Sequence, residues 1–156
     1  MRLTLCVVGR LRNGPEKDLF SDYIDRFEKT GRGMGLCPVE VIVVEDRKGG
    51  VKTAEAELLL RAIPKGSVLM VMDERGKTLT SPQFAHQLAK WRDDGAQSLA
   101  IAIGGADGLL PELRAQADMA LSCGRMRGPQ MVARVMLAKQ AYRAACSLGG
   151  SPSQRG

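Results

Sequence analysis

Two glycine-rich loops, each placed directly after a short apolar run, constrain the fold of this chain most strongly. The first run covers residues 99–103 and ends in Gly-Gly-Ala-Asp-Gly at 104–108, and the second covers 119–123 and ends in Gly-Arg-Met-Arg-Gly-Pro at 124–129. Apolar runs this short predict buried strands rather than surface helices. In an open α/β sheet, strands that end in bare backbone form a ligand crevice at the carboxyl edge. Ordinary strand–helix turns would explain either loop alone, but two such loops separated by one helix favour a binding site.

The order of the predicted elements indicates an α/β fold, because strand patterns alternate with helix patterns and so predict a single parallel sheet with helices on both faces. The strands cover residues 3–9, 39–44, 68–72, 99–103 and 119–123, and helices begin near residues 15, 54, 82, 111 and 131. Polar residues 73–77 predict a turn that closes the third strand, and Ser81 with Pro82 predicts the cap of the next helix. We expect one domain, 1–156, in which 149–156 form a flexible C-terminal tail.

The charge of the chain favours an anionic partner. Lysine and arginine number 23 against 17 aspartates and glutamates, and this net charge of +6 raises the expectation of nucleic acid. One tryptophan, two tyrosines and three phenylalanines are too few for a platform on which single-stranded bases stack. RNA contacts are therefore expected mainly at phosphates and through shape. The basic residues of 45–52 either contact RNA or belong to a solvated loop.

The sequence also argues against several classes of site. The four cysteines (Cys6, Cys37, Cys123 and Cys146) and the single His86 lack metal-ligand spacing, so we expect no metal and reduced, packed thiols. No segment approaches the length of a membrane span and no signal peptide is recognisable, which predicts a cytoplasmic protein without membrane contact. A dinucleotide-dependent oxidoreductase is excluded, because no Gly-x-Gly-x-x-Gly follows the first strand.

The last predicted helix, which begins near residue 131, is apolar around nearly its whole circumference. Such a helix is buried on more than one side, and in a chain this small a second subunit is the simplest additional cover. The sequence therefore predicts a homodimer built on this helix, which a charge at Ala141 should disrupt. Arg134 lies among alanines of the same helix. Its charge either meets an acid or a ligand carboxylate, or reaches solvent.

Three motifs together resemble the ribosomal RNA large-subunit methyltransferase H family, of the knotted SPOUT class. They are Asp-Glu-Arg-Gly-Lys at 73–77, Ile-Gly-Gly-Ala-Asp-Gly at 103–108, and Ala-Arg-Val-Met-Leu-Ala at 133–138 followed by Gln140 and Tyr-Arg-Ala at 142–144. The resemblance extends over nearly the whole chain. It implies an α/β domain with a C-terminal trefoil knot, a homodimer, and S-adenosylmethionine as cofactor. It also implies methylation of N3 of a pseudouridine in 23S ribosomal RNA on the assembled ribosome.

The resemblance also assigns site residues by position. Arg155, in the C-terminal tail, corresponds to a catalytic residue. The cofactor would contact the end of the third strand and both glycine loops, at Met72, Gly104, Gly105, Gly124, Arg125, Met126, Arg127, Gly128 and Pro129.

The chain departs from the family pattern in its acid–base residues. Gln130 follows the proline where a histidine is usual, and 151–155 read Ser-Pro-Ser-Gln-Arg in place of His-Pro-Tyr-His-Arg. These changes predict methyl transfer that is slow or absent, because glutamine and serine do not titrate near neutral pH. Arg125 and Arg127 add positive charge near a sulfonium, which predicts weakened cofactor binding. The alternative function is that of a paralogue that keeps the fold and binds RNA or the ribosome without transferring methyl groups.

Overall fold

The computed structural model describes residues 1–9, 13–44, 52–104, 111–122 and 130–149, apart from the side chains of 52–56, 112, 130 and 131. Strands and helices alternate throughout this part of the chain, as the sequence predicts. The strands are β1 (Arg2–Val8), β2 (Val39–Val44), β3 (Val68–Lys77), β4 (Ser98–Ile103) and β5 (Met119–Leu121). The helices are α1 (Pro15–Arg32), α2 (Lys52–Ala62), α3 (Ser81–Asp93), α4 (Pro111–Gln116) and α5 (Gln130–Gly149).

All five strands pair in parallel, in the order β2-β1-β4-β3-β5. The predicted single parallel sheet is therefore confirmed. The central strands β1 and β4 are apolar on both faces and buried over almost their full length, as expected for a sheet covered on both sides.

The sheet separates two hydrophobic cores of unequal size, which confirms helices on both faces. The large core lies under α1, α3 and α5; its principal side chains are Leu3, Leu5, Val7, Phe20, Phe27, Met70, Phe84, Leu88, Ile101, Leu121, Leu137, Ala141 and Ala145. The small core lies under α2 and α4, and its members are Cys6, Val8, Leu59, Leu69, Val71, Ala100, Ala102 and Leu113.

Helix α5 obtains most of its cover within the same chain, since it packs against both α1 and α3. Ala141 is only 6% exposed and belongs to the large core. Its predicted role in a subunit contact is therefore wrong, and a charge there would disrupt the protomer. Among the α5 side chains that the structure describes, the exposed apolar ones are Val132 and Met136, one turn apart, at 40% and 37%. The helix extends to Gly149, so the predicted tail overlaps it by one residue, and 150–156 lie outside the described residues.

The polar residues 73–77 do not form the predicted closing turn. Strand β3 continues to Lys77, and Met72 and Lys77 both pair with Leu121 across an irregularity in the register. We call residues 73–77 the β3 bulge. At Gly76 an added Cβ would lie 2.5 Å from the Ala120 carbonyl oxygen, closer than side chains approach. Only glycine fits this contact, which lets the bulge fold against β5.

The cap of α3 differs from the prediction by one residue. Thr80, not Ser81, is the N-cap. Its hydroxyl accepts a hydrogen bond from the Gln83 amide at 3.2 Å, and the Gln83 side chain accepts one from the Thr80 amide at 2.9 Å. This reciprocal capping box fixes the start of the helix directly after β3.

Candidate functional site

The strand register brings Val8, Gly104 and Met72 to one edge of the sheet. The last pair between β1 and β4 is Val7 with Ile103, and the last pair between β3 and β4 is Val71 with Ala102. Val8, Gly104 and Met72 therefore lie one or two residues beyond these pairs on neighbouring strands. Because the strands are parallel, this is the carboxyl edge, where open α/β sheets bind their ligands.

Met72 and Gly104 have the properties that S-adenosylmethionine requires at this edge. Gly104 is buried and offers only backbone atoms, and Met72 is half-buried and packs against the large core. An adenine ring needs a flat apolar surface with backbone hydrogen-bonding groups beside it. The thioether of Met72 and the backbone of Gly104 meet these two needs, so the residues present fit the cofactor that the family resemblance implies.

Arg134 reaches the same edge from α5. It is 2% exposed, and its Nη2 donates a hydrogen bond to the carbonyl oxygen of Val8. Burial lowers the pKa of its guanidinium from the usual value. The alternative in which Arg134 reaches solvent is therefore wrong. Among the described residues, Arg134 contacts the carbonyl oxygen at the end of β1, and this hydrogen bond links α5 to that strand.

Asp73 and Arg114 form an ion pair beside Met72. Arg114 Nη1 donates to Asp73 Oδ2 at 2.9 Å, and the Arg75 amide donates to Asp73 Oδ1 at 3.0 Å. Burial opposes ionisation of Asp73, but the hydrogen bonds from Arg75 and Arg114 and their positive charges outweigh it and lower its pKa. Asp73 is thus an anion at neutral pH, held between its own bulge and helix α4.

The end of β5 is attached to the same bulge. The Ser122 amide donates to the Lys77 carbonyl oxygen at 2.8 Å. At the other end of β5, the Leu69 amide donates to Asp118 Oδ2 at 2.8 Å, and the Asp118 amide donates to the Leu69 carbonyl oxygen at 2.7 Å. Strand β5, only three residues long, is therefore held against β3 at both ends.

The structure brings two of the sequence-predicted site residues together, Met72 and Gly104. The others lie outside the described residues: Gly105, Gly124, Arg125, Met126, Arg127, Gly128, Pro129 and Arg155. Sequence reasoning missed the pair of Asp73 and Arg114. The Asp-Glu-Arg-Gly-Lys motif was the available signal. Its polar residues predicted a turn, whereas the strand register shows that β3 continues to Lys77.

The described residues contain neither a metal-binding cluster nor a membrane-spanning helix. In residues 1–9, 13–44, 52–104, 111–122 and 130–149, no group of three or more His, Cys, Asp or Glu side chains could hold a metal ion. Among the helices that the structure describes, none is long and apolar enough to cross a membrane. Cys6, Cys37 and Cys146 are free thiols, and Cys6 and Cys146 are buried.

Comparison with known proteins identifies the family. A family model described as "Predicted SPOUT methyltransferase" matches residues 1–152. The chain is 62% identical over 155 residues to the ribosomal RNA large subunit methyltransferase H of Dinoroseobacter shibae, and equally to that of Cereibacter sphaeroides strain ATCC 17025. Each alignment covers 99% of both chains.

Solved structures share the fold at much lower identity. A probable methylase family protein from Haemophilus influenzae Rd KW20 superposes with a TM-score of 0.54 at 13% identity, over 95% of this chain and 68% of the other. TrmJ from Z. mobilis ZM4 gives 0.52 at 13% identity, over 92% and 70%. The parallel sheet, the family model and the full-length relatives agree: this chain belongs to the ribosomal RNA large subunit methyltransferase H family of SPOUT methyltransferases.

Proposed function

We propose that this protein transfers a methyl group from S-adenosylmethionine to N3 of a pseudouridine in 23S ribosomal RNA, on the assembled ribosome. The observation that carries the proposal is that Met72 and Gly104 lie on neighbouring strands at the carboxyl edge of the sheet. The chain's membership of the methyltransferase H family supports the same function. The alternative, an inactive paralogue, is not favoured, because relatives with 62% identity over the full chain bear the enzyme's name.

The chain's own residues chiefly bind and orient. S-adenosylmethionine supplies an electrophilic methyl group, and its transfer to nitrogen depends mainly on in-line positioning. Gly104 provides close backbone approach and Met72 an apolar surface. We assign the remaining cofactor contacts to Gly105 and to residues 124–129, which follow β4 and β5 directly in sequence. Arg155 is assigned to the RNA, where a guanidinium holds a phosphate or a base edge.

The rate of transfer should be lower than in a family member with the intact tail. Gln130, Ser153 and Gln154 stand where the family pattern has titratable or aromatic side chains. Loss of a positioned acid or base typically lowers a rate by about 10²–10⁴-fold. Single-turnover transfer to ribosomes, measured beside such a family member, tests this expectation, and equal rates would contradict it.

The homodimer is part of the proposal, now with a different contact. Val132 and Met136 form an exposed apolar patch on α5, and apolar side chains of this kind are typical of subunit contacts. Met136→Glu should shift the protein to monomers at micromolar concentration in a sedimentation experiment. Leu60→Glu is the matched control, because Leu60 is similarly exposed, at 39%, but lies on α2 across the sheet. Dimers that survive Met136→Glu would contradict the assignment.

We also propose that residues 1–156 form a single domain, that the domain has a C-terminal trefoil knot, and that the protein is cytoplasmic. The sheet order and the packing of α5 against α1 and α3 support a SPOUT-type domain. A ribosomal substrate would place the protein in the cytoplasm.

The cofactor site is tested by titration calorimetry with S-adenosylmethionine. Gly104→Val should abolish binding, because its side chain would occupy the space needed for backbone approach. Gly33→Val is the control: an added Cβ at Gly33 meets no atom within 4 Å, and the residue ends α1 in ordinary helical geometry. Equal affinity in wild type and a folded Gly104→Val would overturn the assignment.

A further inference from the structure

The β3 bulge contacts two different elements that adjoin the glycine loops in sequence. Through Asp73 it reaches Arg114 on α4, which begins at Pro111 directly after the loop residues 105–110. Through Lys77 it holds Ser122, which precedes the loop residues 123–129. The bulge itself begins directly after Met72. One short segment therefore links a proposed cofactor contact to one described end of each loop.

The ion pair within this arrangement differs from the surface pairs of the molecule. Asp73 and Arg114 are 41 residues apart, and their side chains are only 12% and 26% exposed. By contrast, Asp22 and Arg26 are four residues apart on α1, and both side chains are more than half exposed. Exposed pairs of that kind contribute little to any property of the fold.

Stability alone does not explain the Asp73–Arg114 pair. Removing two charges from water, even in part, costs much of the free energy that their attraction returns, so a partly buried pair is a weak source of net stability. Arg114 also keeps a buried Nε with no hydrogen-bond partner, which adds a further cost. The small core holds α4 at Leu113, which is fully buried. The ion pair adds a directional contact to that apolar one, and so fixes the orientation of α4 relative to the end of β3.

We propose that Asp73 and Arg114 are positioning residues that set cofactor affinity by fixing α4 and the end of β5 against Met72. The pair acts through the backbone of the bulge. Asp73 accepts a hydrogen bond from the Arg75 amide and so shapes the bulge, which places Gly76 and Lys77 against β5. Loss of the pair allows α4 and the end of β5 to shift relative to Met72. This inference rests on the cofactor site proposed above.

The test compares two substitutions that each remove one aspartate charge without changing side-chain size. Asp73→Asn breaks the bridging pair, and Asp22→Asn breaks the exposed pair on α1. We expect calorimetry to show about tenfold weaker S-adenosylmethionine binding for Asp73→Asn and unchanged binding for Asp22→Asn. Hydrogen exchange of the Ser122 amide, measured without ligand, should accelerate in Asp73→Asn alone, whereas exchange of Leu69 should not change. Thermal unfolding midpoints of both variants should stay within a few degrees of wild type.

A charge-exchanged double variant separates positioning from simple damage. Asp73→Arg alone should weaken binding further, and combination with Arg114→Asp should recover a measurable part of the affinity, because the attraction is restored. Wild-type affinity and wild-type Ser122 exchange in Asp73→Asn would overturn the proposal. So would a loss of affinity fully explained by the unfolded fraction. If wild-type protein failed to bind S-adenosylmethionine, the proposed cofactor site would be wrong. Hydrogen exchange of the Ser122 amide would then decide separately whether the pair positions β5.

Discussion

The face of the sheet covered by α1, α5 and α3 is packed by aromatic and long aliphatic side chains, whereas the face covered by α2 and α4 carries a smaller core. On the second face, hydrogen bonds and one ion pair supplement the apolar contacts: Asp118 pairs with Leu69, and Arg114 with Asp73. Apolar contacts are non-directional and supply most of the folding free energy. Polar contacts supply direction. The difference indicates that the first face supplies most of the folding free energy. The α4 side, together with the contact of Arg134 on α5 with the Val8 carbonyl oxygen, sets the geometry of the ligand edge.

Equal damage to the two cores should therefore have unequal functional effects. Phe27 is 1% exposed in the large core, and Phe27→Ala should lower the free energy of unfolding by about 3–5 kcal/mol. Leu113→Ala in the small core should lower it by about 2–5 kcal/mol. After correction for the unfolded fraction, only Leu113→Ala should weaken S-adenosylmethionine binding, because it loosens α4. Urea unfolding and calorimetry measure both quantities. Equal loss of affinity in the two variants would erase the distinction.

The β3 bulge offers a smaller perturbation on the α4 side. Gly76→Ala forces the Ala120 carbonyl away, because its Cβ would lie 2.5 Å from that oxygen. Such overpacking typically costs about 1–3 kcal/mol, and here it should also weaken cofactor binding. Gly33→Ala is the matched control, since its Cβ meets no atom within 4 Å. A Gly76→Ala protein with wild-type stability and affinity would show that the close contact is unimportant.

The helices and strands of this molecule could be predicted well from the sequence, whereas the polar contacts between them could not. Strands such as β1 and β4 are nearly continuous apolar runs, so their burial and parallel pairing follow from local pattern. Residues 73–77 are polar, and their pairing depends on backbone atoms of Leu121 and Ser122, which no side-chain pattern reports. Arg134 was recognised as unusual, but its contact with the Val8 carbonyl requires the tertiary fold.

For α5 the helical pattern was correct and the interpretation incomplete. Its nearly all-apolar circumference did require cover on more than one side. Two neighbours in the same chain, α1 and α3, provide most of that cover, because α5 lies in their layer and contacts both. The pattern of apolar residues alone does not distinguish a second helix of the same chain from a second subunit. The exposed Val132 and Met136 make that distinction possible.

The smallest expected effect concerns acid stability. The pKa of Asp73 is lowered in the folded protein, so its ionised form stabilises the fold above its unfolded pKa of about 3.9 and loses that effect as the pH falls through the folded value. Wild type should exceed Asp73→Asn in unfolding free energy by about 1 kcal/mol or less at pH 7. The difference should vanish in strong acid, as urea titrations at several pH values would show. A difference that grows on acidification would have the wrong sign.

The most direct measurement of the central claim is tritium transfer from labelled S-adenosylmethionine to ribosomes that lack the native modification. The account predicts incorporation into 23S ribosomal RNA, located at N3 of one pseudouridine by mass spectrometry of the digested RNA. Incorporation should approach one methyl group per ribosome given sufficient time, and it should be absent with Gly104→Val. If wild-type protein incorporates no more tritium than Gly104→Val, while a full-length relative methylates the same ribosomes, the assignment as a methyltransferase is wrong.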